Sequence, residues 1–106
     1  MNKQNIILIG MPGAGKSSVG VILAKVLGYE FIDTDLVIQH REKRLLREII
    51  ADEGNEGFLA IENEVNATLE ADKSVIAPGG SAIYGKEAME HFKEIGTIVY
   101  PKLSYE

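Results

Sequence analysis

Several residue types that characterise other classes of protein are absent or scarce in this chain. Its 106 residues include no cysteine, no tryptophan, three prolines and two histidines. Without cysteine, neither a disulfide framework nor a thiolate metal site can form, and this is compatible with a reducing cytoplasm. His40 and His91 lie far apart in polar helical contexts, so we expect solvated side chains rather than metal ligands. We therefore expect a cytoplasmic protein, not a disulfide-stabilised or zinc-binding module.

Basic residues and long apolar runs are scarce as well. Lysine and arginine number 11 against 16 acidic residues, which gives a formal net charge of -5. A surface that neutralises a run of phosphates needs a basic excess, so we expect no nucleic-acid partner. The apolar run Ile6–Ile9 is too short to cross a membrane, and no signal peptide is recognisable. A nucleotide or small metabolite fits this charge better, and the 45% hydrophobic content suits one globular domain.

Strand and helix patterns alternate along the sequence. Short apolar runs predict strands at Ile6–Ile9, Tyr29–Asp33, Ser74–Ala77 and Thr97–Tyr100. Apolar residues spaced by three and four predict helices at Lys16–Leu27, Leu36–Arg44, Leu45–Asp52 and Gly85–Glu94, and another that Asn55 would cap. Gly28 follows the first helix as a stop signal, and Gly96 follows the last. This alternation predicts a three-layer α/β sandwich with a mostly parallel sheet.

A glycine-rich segment, GMPGAGKSSVG, connects the first predicted strand to the first predicted helix. Gly10, Gly15, Lys16 and Ser17 satisfy the pattern G-x-x-x-x-G-K-[ST]. Glycines let the backbone present N–H groups to phosphate oxygens, and the helix N-terminus adds partial positive charge. Lys16 would reach the outer phosphates and the Ser17 hydroxyl would bind Mg²⁺. The alternative is a turn that binds nothing, but strand, glycines, lysine, serine and helix all agree with a phosphate-binding loop.

Two other segments follow predicted strands, where ligands of open α/β sheets bind. In FIDTD, Asp33 and Asp35 could serve a metal ion and an acceptor hydroxyl, although either aspartate could simply cap the next helix. In APGGS, Gly79 and Gly80 would let a ligand approach the backbone closely, although this segment could also be an ordinary loop. The position of FIDTD after the phosphate-loop helix favours the functional interpretation.

Taken together, these segments resemble the shikimate kinase family of small P-loop kinases. The similarity runs in order through GMPGAGKSSVG, FIDTD, DEGNEGF followed by IE, VIAPGGSAI and GTIVY. It implies a three-layer α/β/α sandwich of the P-loop NTPase type. It also implies transfer of the γ-phosphoryl group of ATP to a hydroxyl of shikimate or a related small acid, with Mg²⁺ as cofactor, in aromatic amino acid biosynthesis.

The resemblance also implies roles for individual residues. ATP phosphates would be bound by Gly10, Gly13, Ala14, Gly15, Lys16, Ser17 and Ser18. Ser17 and Asp33 would hold Mg²⁺, and Asp35 would bind and orient the acceptor hydroxyl. The backbone of Gly79 and Gly80 would contact the acceptor. The implied catalytic residues are Lys16, Asp33 and Asp35.

The sequence departs from the family pattern at three points. Leu59 stands where family members carry an arginine for the substrate carboxylate, and Ser81 stands where they have a third glycine. Family chains also continue into an arginine-bearing lid, a final strand and a helix. We therefore expect residues 1–106 to form a single P-loop kinase-like domain that is incomplete at its C-terminus, with an uncovered sheet edge that favours self-association.

These departures leave the acceptor and the activity open. Arg41, Arg44 and Arg47 could supply a substitute cation for an acidic acceptor, although a solvated helical face is the simpler interpretation. Two functions are compatible with the sequence: a kinase of shikimate or another small metabolite, and a nucleotide-binding regulatory module without catalysis. Asp33 and Asp35 favour the kinase, whereas Leu59 favours the module.

Overall fold

The computed structural model describes residues 4–9, 13–79, 82 and 85–99, and it describes side chains for all of these except 13–17. Within these ranges the chain forms, in order, β1 (Asn5–Leu8), α1 (Gly13–Leu27), β2 (Glu30–Asp33), α2 (Thr34–Glu42), α3 (Leu46–Ala67), β3 (Ser74–Ala77), α4 (Lys86–Ile95) and β4 (Gly96–Val99). The predicted alternation of strands and helices is confirmed, with small shifts at the ends of the elements. Tyr100, predicted to end the last strand, lies outside the described residues.

The four strands form one sheet in the order β2-β3-β1-β4, and every pairing is parallel. Strand β3 therefore lies between β1 and β2, although it follows both in the sequence. Its register places Ile76 beside Ile7 on one side and beside Ile32 on the other. Because the strands are parallel, the segments that follow β1, β2 and β3 all emerge at one edge of the sheet. We call this the carboxyl edge.

Alternate side chains of the strands pack against helices on opposite faces of the sheet. On one face, Ile7 and Ile76 pack with Ala88, Phe92 and Ile95 of α4. On the other face the cluster consists of Leu8, Val75 and Ala24 of α1, with partly buried neighbours that include Phe31. Strand β3 is buried along its whole length, as expected for a strand covered on both faces. These helices and the sheet form the predicted three layers.

Two glycines fix how α1 meets the sheet. Gly28 ends the helix in a left-handed conformation, with φ of 73°, which glycine adopts without strain. Gly20 is buried against the ring of Phe31 on β2, and a methyl group at this position would overlap that ring. The absence of a side chain at Gly20 thus sets the separation between α1 and β2.

Helices α2 and α3 form a second, smaller cluster beside the sheet. Ile38 of α2 packs with Ile49 and Val65 of α3, and all three side chains are buried. Helix α3 is kinked at Gly54, whose backbone has φ of 76° and ψ of 174°. The sequence analysis predicted two helices on either side of this point, and the non-helical backbone of Gly54 divides α3 into two helical segments there. Residues on both sides of the kink pack against α2, and the segment after the kink also contacts α4 through Asn63.

Asn5 fastens the sheet at the end opposite the carboxyl edge. Its side-chain Nδ2 donates to the carbonyl oxygens of Ala71 and Ile95, both at 2.9 Å. Its Oδ1 accepts a hydrogen bond from the Ser74 N–H at 3.1 Å. One buried amide therefore connects β1 to the start of β3 and to the end of α4.

The outer face of α1 is apolar but exposed. Ile22 and Val26 are 63% and 77% exposed, and Val19 continues the same stripe at helical spacing. No described helix is long and apolar enough to span a membrane. The stripe is therefore an uncovered helix face within the part of the chain that the structure describes.

Candidate active site at the carboxyl edge

The phosphate-loop prediction lies partly within the described residues. Strand β1 ends at Leu8 and helix α1 begins at Gly13, so the predicted strand and helix lie on either side of the glycine-rich segment. Ser18 lies in the first turns of α1 and is exposed. Gly10 and the side chains of residues 13–17, including Lys16 and Ser17, lie outside the described part. Their roles in ATP binding remain predictions.

Asp33 lies at the end of β2 and caps the helix that follows. Its Oδ1 accepts a hydrogen bond from the backbone N–H of Asp35 at 2.9 Å, which satisfies a free donor in the first turn of α2. The capping interpretation is therefore correct for Asp33. The bond uses one carboxylate oxygen, and a second role as a magnesium ligand remains a prediction.

Asp35 and Gly79, both predicted to contact the acceptor, lie close together at the carboxyl edge, and Glu62 joins them from α3. A methyl group at Gly79 would lie 2.9 Å from Oδ1 of Asp35 and 2.8 Å from Oε2 of Glu62. The two carboxylates therefore approach the same backbone atom from different helices. A side chain at this position would require both carboxylate groups to shift. Gly80, the other predicted acceptor contact, lies outside the described residues.

Glu62 is a site residue that the sequence analysis did not single out. It is only 2% exposed, although glutamate is rarely buried completely. In the sequence it appeared only as the last letter of the segment DEGNEGF followed by IE, without a role. A buried carboxylate can be recognised only once the neighbouring elements are in place, so no local pattern identified it.

A cavity of about 280 Å³ opens beside Glu62, between α3 and the start of α4. The described residues that line it are Leu59, Ala60, Glu62, Asn63, Ala82, Gly85, Lys86 and Glu87. Its volume is close to the lower limit for small-molecule sites. Because Glu62 also reaches Gly79, the cavity borders the point where Asp35 and Gly79 meet.

Asn63 holds the far wall of this cavity in place. Its Oδ1 accepts from the Ala88 N–H at 2.9 Å, so a residue of α3 caps α4 in place of Gly85, which has no side chain to do so. Its Nδ2 donates to Oε1 of Glu87 at 2.9 Å. This hydrogen bond lowers the pKa of the Glu87 carboxyl below its usual value, with smaller help from its own backbone N–H and from Lys86.

The arginines considered as substitute cations are engaged elsewhere. Arg41 binds Glu64 across the α2–α3 contact, and Arg44 binds Glu42 at 3.0 Å and Asp52 at 3.1 Å. Hydrogen bonds to these carboxylates raise the pKa of both guanidinium groups. Arg41 and Arg44 do not line the cavity beside Glu62, and Arg47 is exposed. The structure supports the simpler interpretation, in which these arginines form ion pairs on an exposed helical surface.

The described part of the chain contains no group of three or more His, Asp or Glu side chains suited to hold a metal ion. The predicted magnesium ligands, Ser17 and Asp33, are both oxygen donors, and these suit a hard cation such as Mg²⁺. Mg²⁺ commonly uses one or two protein ligands and takes the others from phosphates and water.

His91 is partly buried and its Nε2 contacts the Leu69 carbonyl, so the expectation of a solvated side chain was wrong there.

The all-parallel sheet with helices on both faces, in which α1 follows β1 and Asp33 ends β2, is an α/β arrangement of the P-loop type. Comparison with known proteins identifies the family. The model of the shikimate kinase family matches residues 12–106, and the chain belongs to that family. The resemblance on which the sequence analysis relied is thereby confirmed.

Individual relatives agree with this assignment. The chain is 39% identical over 101 residues to shikimate kinase 2 of Yersinia enterocolitica. The aligned residues make up 95% of this chain and 58% of that protein. A solved shikimate kinase of Acinetobacter baumannii in complex with shikimate is 38% identical, with a TM-score of 0.84 over 92% of this chain and 55% of the other. The Aquifex aeolicus shikimate kinase is 34% identical, with a TM-score of 0.83 over 96% and 61% of the two chains. The chain thus spans just over half the length of these relatives.

Proposed function

We propose that this chain carries the nucleotide site and part of the acceptor site of an ATP-dependent kinase. The kinase would transfer the γ-phosphoryl group to a hydroxyl of shikimate, a related small acid or another small hydroxylated metabolite. The observation that carries the proposal is the meeting of Asp35, Glu62 and Gly79 at the carboxyl edge, in a chain of the shikimate kinase family. One relative of known structure was solved in complex with shikimate.

The proposed division of roles follows from the position of each residue. The backbone N–H groups after β1 and the side chain of Lys16 would hold the phosphates of ATP, and Ser17 and Asp33 would hold Mg²⁺. Bound Mg²⁺ would neutralise charge on the phosphate oxygens. Asp35 would accept a hydrogen bond from the acceptor hydroxyl and aim its oxygen at the γ-phosphorus. Gly79 supports this role because its bare backbone leaves Asp35 room to reach the acceptor.

A coupled assay of ADP release, with and without shikimate, tests the proposal. We expect release that depends on the acceptor and is lost in Lys16→Ala together with ATP binding, because removal of the ammonium group leaves the outer phosphates uncompensated. Ala51→Lys, with a new cation at an exposed position of α3, is the control and should behave like the unmodified chain. ATP binding without turnover on any small hydroxylated acceptor would contradict the kinase and favour the nucleotide-binding module.

We also infer that the chain self-associates, and that the outer face of α1 contributes to the contact in addition to the uncovered sheet edge that the sequence analysis expected. The exposed stripe of Val19, Ile22 and Val26 is apolar surface that favours contact with a similar surface. Val26→Glu should shift the chain toward monomer in light scattering coupled to size-exclusion chromatography. Lys25→Glu, a charge change beside the stripe, should have a smaller effect. A monomer at all concentrations would contradict this inference.

The cytoplasmic location remains a prediction from sequence.

A further inference from the structure

Asn66 is a fully buried amide in the second half of α3. Its side chain has no exposed surface, and neither Nδ2 nor Oδ1 has a hydrogen-bond partner among the described residues. An asparagine amide carries two donor hydrogens and one acceptor oxygen. Buried polar side chains are nearly always paired with protein groups or with ordered water, because burial removes the solvent that would otherwise bind them. The amide of Asn66 therefore needs a partner that the described residues do not supply.

The neighbours of Asn66 on α3 show where its amide points. Glu62, four residues earlier, reaches Gly79 at the end of β3. Asn63, three residues earlier, binds the start of α4, and Leu69, three residues later, packs against the buried cluster on the α4 face. Residues three and four apart lie side by side on a helix. The Asn66 side chain therefore points into the interior, where α3 lies against the sheet and α4.

The polar side chains beside Asn66 on this face are already engaged. Asn63 binds the Ala88 N–H through Oδ1 and Glu87 through Nδ2, and Glu62 has an interaction of its own. The partner of Asn66 must accept from Nδ2 or donate to Oδ1, and it must fit a closed interior. Water meets these requirements, since it donates, accepts and occupies only about 30 Å³ in the liquid. A metal cation could bind Oδ1 but would leave the Nδ2 hydrogens unpaired.

We propose that Asn66 binds an internal water molecule in the layer between α3 and the sheet. The water accepts a hydrogen bond from Nδ2 or donates one to Oδ1, and it thereby pairs an amide that bulk solvent does not reach. Asn66 does not line the cavity beside Glu62, so this water site is separate from the candidate acceptor site. The inference therefore goes beyond the proposed function and does not depend on it.

Cross-relaxation between water and the Asn66 amide, measured by NMR on the ¹⁵N-labelled 106-residue chain, tests the site directly. We expect cross-peaks from water to the Nδ2 hydrogens with the sign of a long-lived contact. A hydroxyl that exchanges its proton with water can imitate this signal, and the Thr34 hydroxyl is also buried and without a hydrogen-bond partner among the described residues. Thr34→Val removes that hydroxyl, and the cross-peaks should persist in this variant.

Oxygen-17 relaxation dispersion of the solvent gives an independent count, because it detects the exchange of whole water molecules that stay long in the protein. Asn66→Leu keeps the branched shape of the side chain and removes both polar atoms. We expect this variant to lose about one long-lived water molecule per chain. Asn55→Leu makes the same chemical change at an exposed position of α3 and should leave the number unchanged.

Three results would each overturn the inference. They are an Asn66 amide without water cross-peaks in the unmodified chain, loss of these cross-peaks in Thr34→Val, and an equal number of long-lived waters in the unmodified chain and Asn66→Leu. The first measurement needs no variant, so it decides the matter even where Asn66→Leu does not fold. Neither measurement involves nucleotide or acceptor, and the proposed kinase is tested separately by ADP release.

Discussion

The two faces of the sheet are covered to different extents. On the α4 face, Phe92 and Ala88 have no exposed surface, and they lie against strand residues that are equally buried. On the α1 face, the inner side of the helix is packed, but its outer side exposes Ile22 and Val26. The difference shows that α4 is stabilised by a complete apolar contact, whereas α1 carries a second apolar face with no partner among the described residues. Stability and association should therefore depend on different helices.

The largest loss of stability should come from truncating the buried aromatic ring that α4 packs against the sheet. Phe92→Ala removes a fully buried ring and should lower the free energy of unfolding by about 3–5 kcal/mol, because the sheet cannot close the cavity that remains. Val26→Ala on the exposed side of α1 should change it by no more than about 0.5 kcal/mol. Urea denaturation measures both values. Similar losses for the two variants would contradict the comparison.

A smaller loss of stability should follow a substitution on the side of α1 that packs against the sheet. Gly20→Ala puts a methyl group where the Phe31 ring lies and should lower the free energy of unfolding by about 1–2 kcal/mol, despite the higher helix propensity of alanine. Phe31→Leu should relieve the overlap, so the two changes together should cost less than the sum of their separate costs. Strict additivity in a double-mutant cycle would show that Gly20 does not set the helix separation.

Loss of the cap that α3 provides to α4 should lower the free energy of unfolding by about as much as Gly20→Ala, or slightly less. Asn63→Ala leaves the Ala88 N–H without its acceptor and should lower the free energy of unfolding by about 1 kcal/mol. Asn55→Ala, at an exposed amide on the same helix, is the matched control and should be close to neutral. If thermal unfolding is unchanged in Asn63→Ala, the cap does not stabilise the start of α4.

The smallest effect concerns the charge at the start of α4. The Asn63 side chain lowers the pKa of Glu87, so this hydrogen bond stabilises the fold above the usual pKa of a glutamate. The contribution is lost as the pH falls through the lowered pKa, because the protonated carboxyl accepts the bond less well. Carbon-detected NMR titration should show the Glu87 pKa rising toward its usual value in Asn63→Ala. An unchanged titration would contradict the role of Asn63.

Much of the fold was predictable because its signals are local. Strand Ser74–Ala77 was predicted with the boundaries that the structure shows, since a short apolar run ending in proline and glycine has few other interpretations. The end of α1 at Gly28 was equally clear. The two segments of α3 were also predicted as separate helices, and the non-helical backbone of Gly54 separates them in the structure.

The candidate site was predictable only where its residues follow strands directly. Asp35 and Gly79 were recognised because each comes just after an apolar run, at the position where α/β proteins bind ligands. Glu62 lies in the middle of a helix, where a glutamate is ordinarily exposed, and its burial depends on α3 packing beside Gly79. The ion pairs of Arg41 and Arg44 also became visible only once α2 and α3 were placed side by side.

The sequence by itself determined the order of the elements, the parallel α/β class, the phosphate-loop pattern and the family. The first three depend on short-range spacing along the chain, which apolar periodicity and glycine positions express directly, and the family was indicated by the resemblance of whole motifs. Only the tertiary structure decided that β3 lies between β1 and β2, and that Gly79 therefore meets both Asp35 and Glu62. Strand order depends on contacts between residues far apart in the sequence, and the burial of Glu62 beside Gly79 depends on such contacts as well.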